Sequence, residues 1–221
     1  MTKCAVLVFP GSNCDNDAYY VLSKTFNIEV DFVWHKNSNL DSYNMILIPG
    51  GFSYGDYLRT GAIAKFSPIM KEVVSKSKKG TPIIGICNGF QILLECGLLP
   101  GALINNKKIK FLSKDVVLEV NNNSSVFTNK LKIGDRLKMP IAHREGNYIA
   151  NDDTLKLLQD NDRILFKYLN NPNGSQLDIA GISNDMGNVL GMMPHPERAC
   201  DKILGSEDGK LIFESILESN I

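Results

Sequence analysis

What this 221-residue sequence lacks narrows its chemistry first. It lacks excess charge of either sign, with Lys+Arg and Asp+Glu at 24 each. No basic face is announced, so nucleic acid is not expected as a partner. It lacks an apolar stretch near the roughly 20 residues that a membrane span needs. Its opening, Met1-Thr2-Lys3-Cys4-Ala5-Val6-Leu7-Val8-Phe9-Pro10, has neither the length nor the cleavage pattern of a signal peptide. It has 5 cysteines (Cys4, Cys14, Cys87, Cys96 and Cys200), an odd number with no Cys-x-x-Cys pair. That argues against a disulfide framework and against a structural zinc site, so no metal is expected. A reduced, cytoplasmic compartment fits best. Repeats, low-complexity tracts and linkers are also missing, and residues 1–221 read as one domain long enough to bury a core.

What is present alternates between two periodicities. Residues 5–9, 28–34, 45–49 and 82–86 read as strands; 15–26, 61–78 and 89–96 read as helices, with Ser67-Pro68 marking a fresh helix start inside the second. Short strands separated by helices predict an α/β fold: a flavodoxin-like, doubly wound, mainly parallel sheet with helices on both faces. The later chain differs. Residues 116–120, 136–142 and 164–168 read as short strands, 179–183 and 188–193 as a hairpin around Asp185-Met186-Gly187, and 210–217 as a last amphipathic helix. This predicts an antiparallel extension. In such sheets, active sites gather beyond the carboxyl ends of the parallel strands.

The most informative segment is Gly85-Ile86-Cys87-Asn88-Gly89-Phe90-Gln91. An apolar strand runs into Cys87 and a helical pattern follows. This is a strand–turn–helix elbow with glycines that remove Cβ clashes and a thiol set at a helix N-terminus, where unpaired N–H groups favour the thiolate. A nucleophilic thiol needs a base, and the chain has only 3 histidines. His35 reads as an ordinary structural or surface residue. In Met193-Pro194-His195-Pro196-Glu197, each residue before proline is pushed toward extended backbone. Residues i and i+2 then share a side, so Glu197 can hold one nitrogen of His195 and leave the other for Cys87. His143, with Glu145 two residues on, is a rival base by the same reasoning. Cys14 is a second thiol at a strand end. Backbone donors for an oxyanion are expected from Gly51 and Phe52 in the Gly50-Gly51-Phe52 loop and from Asn88 directly after the nucleophile. Gly205-Ser206-Glu207-Asp208-Gly209-Lys210-Leu211 falls one residue short of a phosphate-binding P-loop and reads as the opening of the last helix.

Together these motifs resemble the class I, or triad, glutamine amidotransferases. Within that class, four runs are similar to the glutaminase subunits of phosphoribosylformylglycinamidine synthases. They are Phe9-Pro10-Gly11-Ser12-Asn13-Cys14-Asp15, Pro49-Gly50-Gly51-Phe52-Ser53-Tyr54-Gly55-Asp56-Tyr57-Leu58-Arg59, the elbow with Asn88, and Gly191-Met192-Met193-Pro194-His195-Pro196-Glu197-Arg198. The resemblance implies a Cys87–His195–Glu197 triad and substrate contacts at Gln91, His143 and Glu145. It also implies hydrolysis of glutamine, with ammonia passed to a large synthetase subunit accompanied by a small accessory subunit. No cofactor is implied in this chain, and ATP and Mg belong to the synthetase. One departure stands out: Arg144 occupies a position where the family is expected to carry glycine, in Ala142-His143-Arg144-Glu145-Gly146. The residues alone leave three alternatives: the glutaminase of another synthetase, a stand-alone γ-glutamyl hydrolase, and a non-enzymatic redox or chaperone-like protein.

Overall fold

The computed structural model describes residues 2–219. Strands β1 (Lys3–Val8), β3 (Met45–Ile48), β4 (Ile83–Ile86) and β11 (Val189–Met192) are almost wholly buried, apolar runs, as expected of strands covered on both faces. β2 (Glu29–Trp34) buries only Val30 and Val33, leaves its other residues exposed or half-buried, and forms the edge. These five strands pair in parallel, in the order β2-β1-β3-β4-β11.

The sheet then continues antiparallel through β10 (Ile179–Ser183), β9 (Ile164–Tyr168), β6 (Leu112–Val120) and β7 (Arg136–His143), giving nine strands in one sheet. The antiparallel part is thus joined edge to edge rather than appended. A separate two-stranded pair, β5 (Ala102–Ile104) with β8 (Asn147–Ile149), has no counterpart in the sequence reading.

Helix α1 (Asp15–Tyr20) runs on as a π-turn over Val21–Thr25, so the predicted helix 15–26 has the right extent but two registers. The predicted helix 61–78 divides where Ser67-Pro68 suggested. A 3-10 turn at Ala64–Phe66 gives way to extended Ser67, and α2 (Pro68–Lys78) restarts with proline in its first turn. α3 (Asn88–Glu95) follows the elbow and α5 (Lys210–Glu218) closes the described chain. The sequence reading missed α4 (Asp152–Asp160). Its start is readable in hindsight, because the Asn151 side chain accepts from the Thr154 N–H at 2.9 Å, an N-cap with two acidic residues in the first turn. The P-loop-like segment does open α5: Gly209 sits at its N-terminus and donates its N–H to the Ala199 carbonyl.

Close backbone approach fixes the centre. A Cβ on Gly89 would lie 2.0 Å from the Ile48 carbonyl oxygen, and one on Gly191 would lie 2.1 Å from the Phe90 ring. Both glycines let α3 lie directly on β3 and β11. No helix among the described residues is long and apolar enough to cross a membrane.

Candidate active site

β11 pairs in parallel with β4, with Met192 opposite Ile86. The chains leaving these two strands therefore emerge side by side, and one carries Cys87, the other His195. The Cys87 N–H still donates to the Met192 carbonyl at 2.8 Å. Cys87 itself has φ 53° and ψ −105°, a strained conformation for a residue with a Cβ. It turns the side chain out of the sheet as the elbow reading requires.

His195 and Glu197 are buried, and their side chains meet at 2.6 Å between Nδ1 and Oε1. The pairing agrees with the sequence reading, but its backbone cause differs. Glu197 lies on a 3-10 turn, Pro196–Arg198, rather than on an extended strand, and the tight turn brings it back to the ring. Burial alone would depress the His195 pKa. The Glu197 carboxylate and the thiols of Cys14 and Cys87 overcome it and hold the pKa well above the ordinary histidine value. The other ring nitrogen, Nε2, has no hydrogen-bond partner. A held Nδ1 and an open Nε2 beside a thiol are what a base for Cys87 requires.

The rival base is differently placed. His143 is buried, with Nδ1 3.1 Å from Asn106 Oδ1. The Asn106 amide nitrogen already donates to two carbonyls, of Lys110 and His143. Oδ1 is therefore the acceptor, and the neutral His143 ring carries its proton on Nδ1. Burial and the nearby His195 push its pKa down to about 4. Glu145 does not orient it; that carboxylate accepts from Thr60 Oγ1 at 2.9 Å. The expected His143–Glu145 pair is therefore replaced by His143–Asn106, because the Asn106 loop packs under the ring.

Of the three expected oxyanion donors, Phe52 is already engaged. The Phe52 N–H donates to the Gly11 carbonyl at 2.9 Å, in the bridge that joins Ser12 to Gly51, and is not free. Gly51, at φ +138° and pressed against the Asn13 and Gly11 backbone, gives no N–H to this bridge, whose bonds come from the Phe52 and Asn13 N–H groups. Asn88 is the first residue of α3, where an N–H has no partner within the helix. Its side chain ties the site together: Oδ1 accepts from the Ser53 N–H at 3.1 Å, and Nδ2 donates to Gln91 Oε1 at 2.9 Å. Gln91 Nε2 in turn donates to the Glu145 carbonyl at 2.7 Å. Gln91 thus links the elbow helix to the 143–146 loop through both ends of its amide.

A cavity of about 360 Å³ opens onto Cys87 and is lined by Gly51, Asp56, Gln91, His143, Arg144 and Glu145, among others. Arg144 has no left-handed backbone, and its carbonyl accepts from the Asn106 N–H at 2.8 Å. The loop therefore keeps its anchor with arginine in place of glycine.

Sequence reasoning missed three participants. Gly50 lies against Cys87, His195 and Cys14: a Cβ there would stand 2.8 Å from His195 Cε1, 3.0 Å from Cys14 Sγ and 3.4 Å from Cys87 Cβ. Arg198 donates from Nη2 to Cys14 Sγ at 3.0 Å and from Nε to Asp17 at 2.9 Å. Asp56 stands on the cavity wall. The ligand-type atoms of Cys14, His195 and Glu197 lie within 4.8 Å of one another, but Nδ1 is held by Glu197 and the Cys14 sulfur by a guanidinium, which opposes a cation there. His35 is buried and not at the site; its Nδ1 meets Tyr54 OH at 2.9 Å and Ser67 Oγ at 3.1 Å, steadying the loop that carries Asp56.

Residues 1–210 match the family model of the CobB/CobQ-like glutamine amidotransferase domain. The chain is 46% identical to a chain in the structure of PurLQS from Thermotoga maritima, with a TM-score of 0.90 and 98% of each chain covered. It also shares its fold with a glutamine amidotransferase from Thermotoga maritima, at 17% identity and a TM-score of 0.58, covering 98% of this chain and 90% of the other.

Proposed function

The chain belongs to the CobB/CobQ-like glutamine amidotransferase family, and from that premise we infer that it is the glutaminase subunit of a phosphoribosylformylglycinamidine synthase. The observation that carries this reading is the buried His195–Glu197 pair beside an elbow cysteine, in a chain 46% identical to one in PurLQS.

The Cys87 thiolate attacks the side-chain amide carbon of glutamine. Negative charge develops on the amide oxygen, to be met by the N–H groups of Gly51 and Asn88. His195 gives its proton to the departing nitrogen, and ammonia leaves as the C–N bond breaks. His195 then takes a proton from water, whose oxygen attacks the γ-glutamyl thioester. Glutamate departs and the thiolate returns. Glu197 keeps the ring oriented and stabilises its protonated form throughout.

The chain works within a complex of synthase subunits. Ammonia passes to a large synthetase subunit, assisted by a small accessory subunit, where ATP and Mg drive conversion of formylglycinamide ribonucleotide to the amidine. Residues 55–59 are the proposed docking segment. Within it Tyr57 and Leu58 are 72% and 83% exposed, which favours a partner surface over a purely internal loop.

The test mixes this chain with its synthetase. Cys87→Ser abolishes glutamine-dependent amidine formation and leaves ammonia-dependent formation intact. Loss of both, with the complex still assembled, would sink this division of labour.

A further inference from the structure

Two residues that line the Cys87 cavity each carry a buried polar atom without a partner. One is Nε2 of the buried His143; the other is Oδ1 of Asp56. Because the His143 proton sits on Nδ1, both orphans are hydrogen-bond acceptors, so a fitting ligand brings donors. Asp56 is also held close to a second carboxylate. Burial, and then the nearby Glu145, raise its pKa to about 6. Glu145 is already served by the Thr60 hydroxyl, whereas Asp56 Oδ1 has nothing. Arg144 stands on the same wall, so the lining offers both acidic groups and one guanidinium to an incoming molecule. A free amino acid carries the matching zwitterion.

The loop holds Asp56 there against a backbone preference. Tyr54, Gly55 and Asp56 all have left-handed φ, of 55°, 66° and 54°. The Tyr54 N–H donates to the Pro10 carbonyl at 2.6 Å and the Ser53 N–H to Asn88, fastening the loop to the β1 exit and to the elbow.

Building on the glutaminase reading above, we propose that Asp56 binds the α-ammonium group of glutamine and so selects the amino acid over an otherwise identical amide without the amine. An ammonium between Asp56 and Glu145 satisfies the orphan oxygen and relieves the repulsion between the two carboxylates. Removal of a charge-assisted hydrogen bond of this kind corresponds to about a 10- to 100-fold loss in affinity.

The experiment uses the full chain in complex with its synthetase. Wild-type and Asp56→Asn proteins are compared for release of ammonia from glutamine and from glutaramate, the same amide without the α-amine. Alkylation of Cys87 by uncharged iodoacetamide reports the thiol independently of any ammonium contact. Wild type is expected to prefer glutamine by about 10- to 100-fold in kcat/KM, and Asp56→Asn to raise the glutamine KM by that factor and erase the preference with alkylation unchanged. An unaltered glutamine KM and preference in the variant overturns the assignment. Should the variant fold poorly, wild type alone still decides: chloroketone analogues of glutamine with and without the α-amine that inactivate Cys87 at the same rate also overturn it. A wild-type complex that releases no ammonia from glutamine overturns the glutaminase reading itself, an outcome distinct from lost selectivity.

Discussion

Replacing Gly50 by alanine adds one methyl group where the exit of β3 meets Cys87 and His195. That carbon would lie 2.8 Å from His195 Cε1 and 3.4 Å from Cys87 Cβ, whereas relaxed carbon–carbon contacts lie at about 3.5–4.0 Å. Gly50 does not have a left-handed φ, so alanine meets no backbone penalty and the whole cost is contact. The imidazole or the loop must give by about 0.7–1.2 Å to restore that spacing. The ring cannot yield alone, because Nδ1 is held at 2.6 Å by a buried carboxylate. A displacement of about 1 Å at reacting groups costs about 10²-fold in turnover, and overpacking costs about 1–3 kcal/mol of stability. The assays are ammonia release from glutamine, Cys87 alkylation and thermal melting. Gly187→Ala serves as comparator: it lies in the β10–β11 hairpin with no atom within 4 Å of the added carbon, so only its left-handed φ of 70° is at issue. It should lose about 1 kcal/mol from backbone strain and keep full turnover. Turnover in Gly50→Ala within about threefold of wild type would refute the claim that this glycine is shaped by the triad, since a 1 Å shift cannot be that cheap.

Four other outcomes follow from the same geometry. Glu197→Gln should lower turnover by about 10⁴-fold, the scale on which a triad loses its orienting carboxylate. The same variant should also flatten the pH dependence of stability. The folded-state pKa of His195 is raised, so the stability from its protonated pairing is whole below about pH 6.5 and is lost as pH rises through the raised value; urea melts at steps of rising pH would show the wild-type–variant gap narrowing. His195→Ala should abolish thioester formation, whereas His143→Ala should retain it with a higher glutamine KM, and the reverse result in stopped-flow kinetics would make His143 the base. Asp56→Asn should stabilise the isolated chain. A carboxyl pKa raised to about 6 disfavours the folded state increasingly between about pH 4 and pH 6, and because Asp56 is partly exposed the gain at pH 7 is discounted to about 1 kcal/mol, or about 2–4 °C in Tm, vanishing below pH 4.

Much of the fold was legible because buried parallel strands have a blunt signature. Residues 45–49 and 82–86 are uninterrupted apolar runs, and each was placed to within one residue. Ser67-Pro68 announced a helix restart because proline suits a first helical turn and nothing deeper. The β5–β8 pair was invisible: three-residue strands carry too few side chains to show a period of two. The π-turn after α1 leaves no mark either, since its apolar spacing still passes for α-helix.

The residues of the proposed triad are legible by a different route. Catalytic chemistry restricts residue type, and a chain with three histidines offers few choices. What the sequence could not disclose was which N–H groups were already engaged. The oxyanion expectation for Phe52 failed on one bridge to Gly11, a contact between segments 41 residues apart. Asp56 and Gly50 were likewise hidden. Each looked like part of a turn, and each has meaning only through what the fold brings against it: Glu145 in one case, His195 and Cys87 in the other.

The central claim is that Cys87, not the neighbouring Cys14, is the atom that glutamine acylates. Intact-mass measurement after rapid mixing of the complex with glutamine, followed by acid quench and peptide mapping, tests it directly. The account predicts a γ-glutamyl adduct confined to the peptide that carries Cys87, present in Cys14→Ala and absent in Cys87→Ser. An adduct on Cys14, or glutamine turnover that persists in Cys87→Ser, would contradict it.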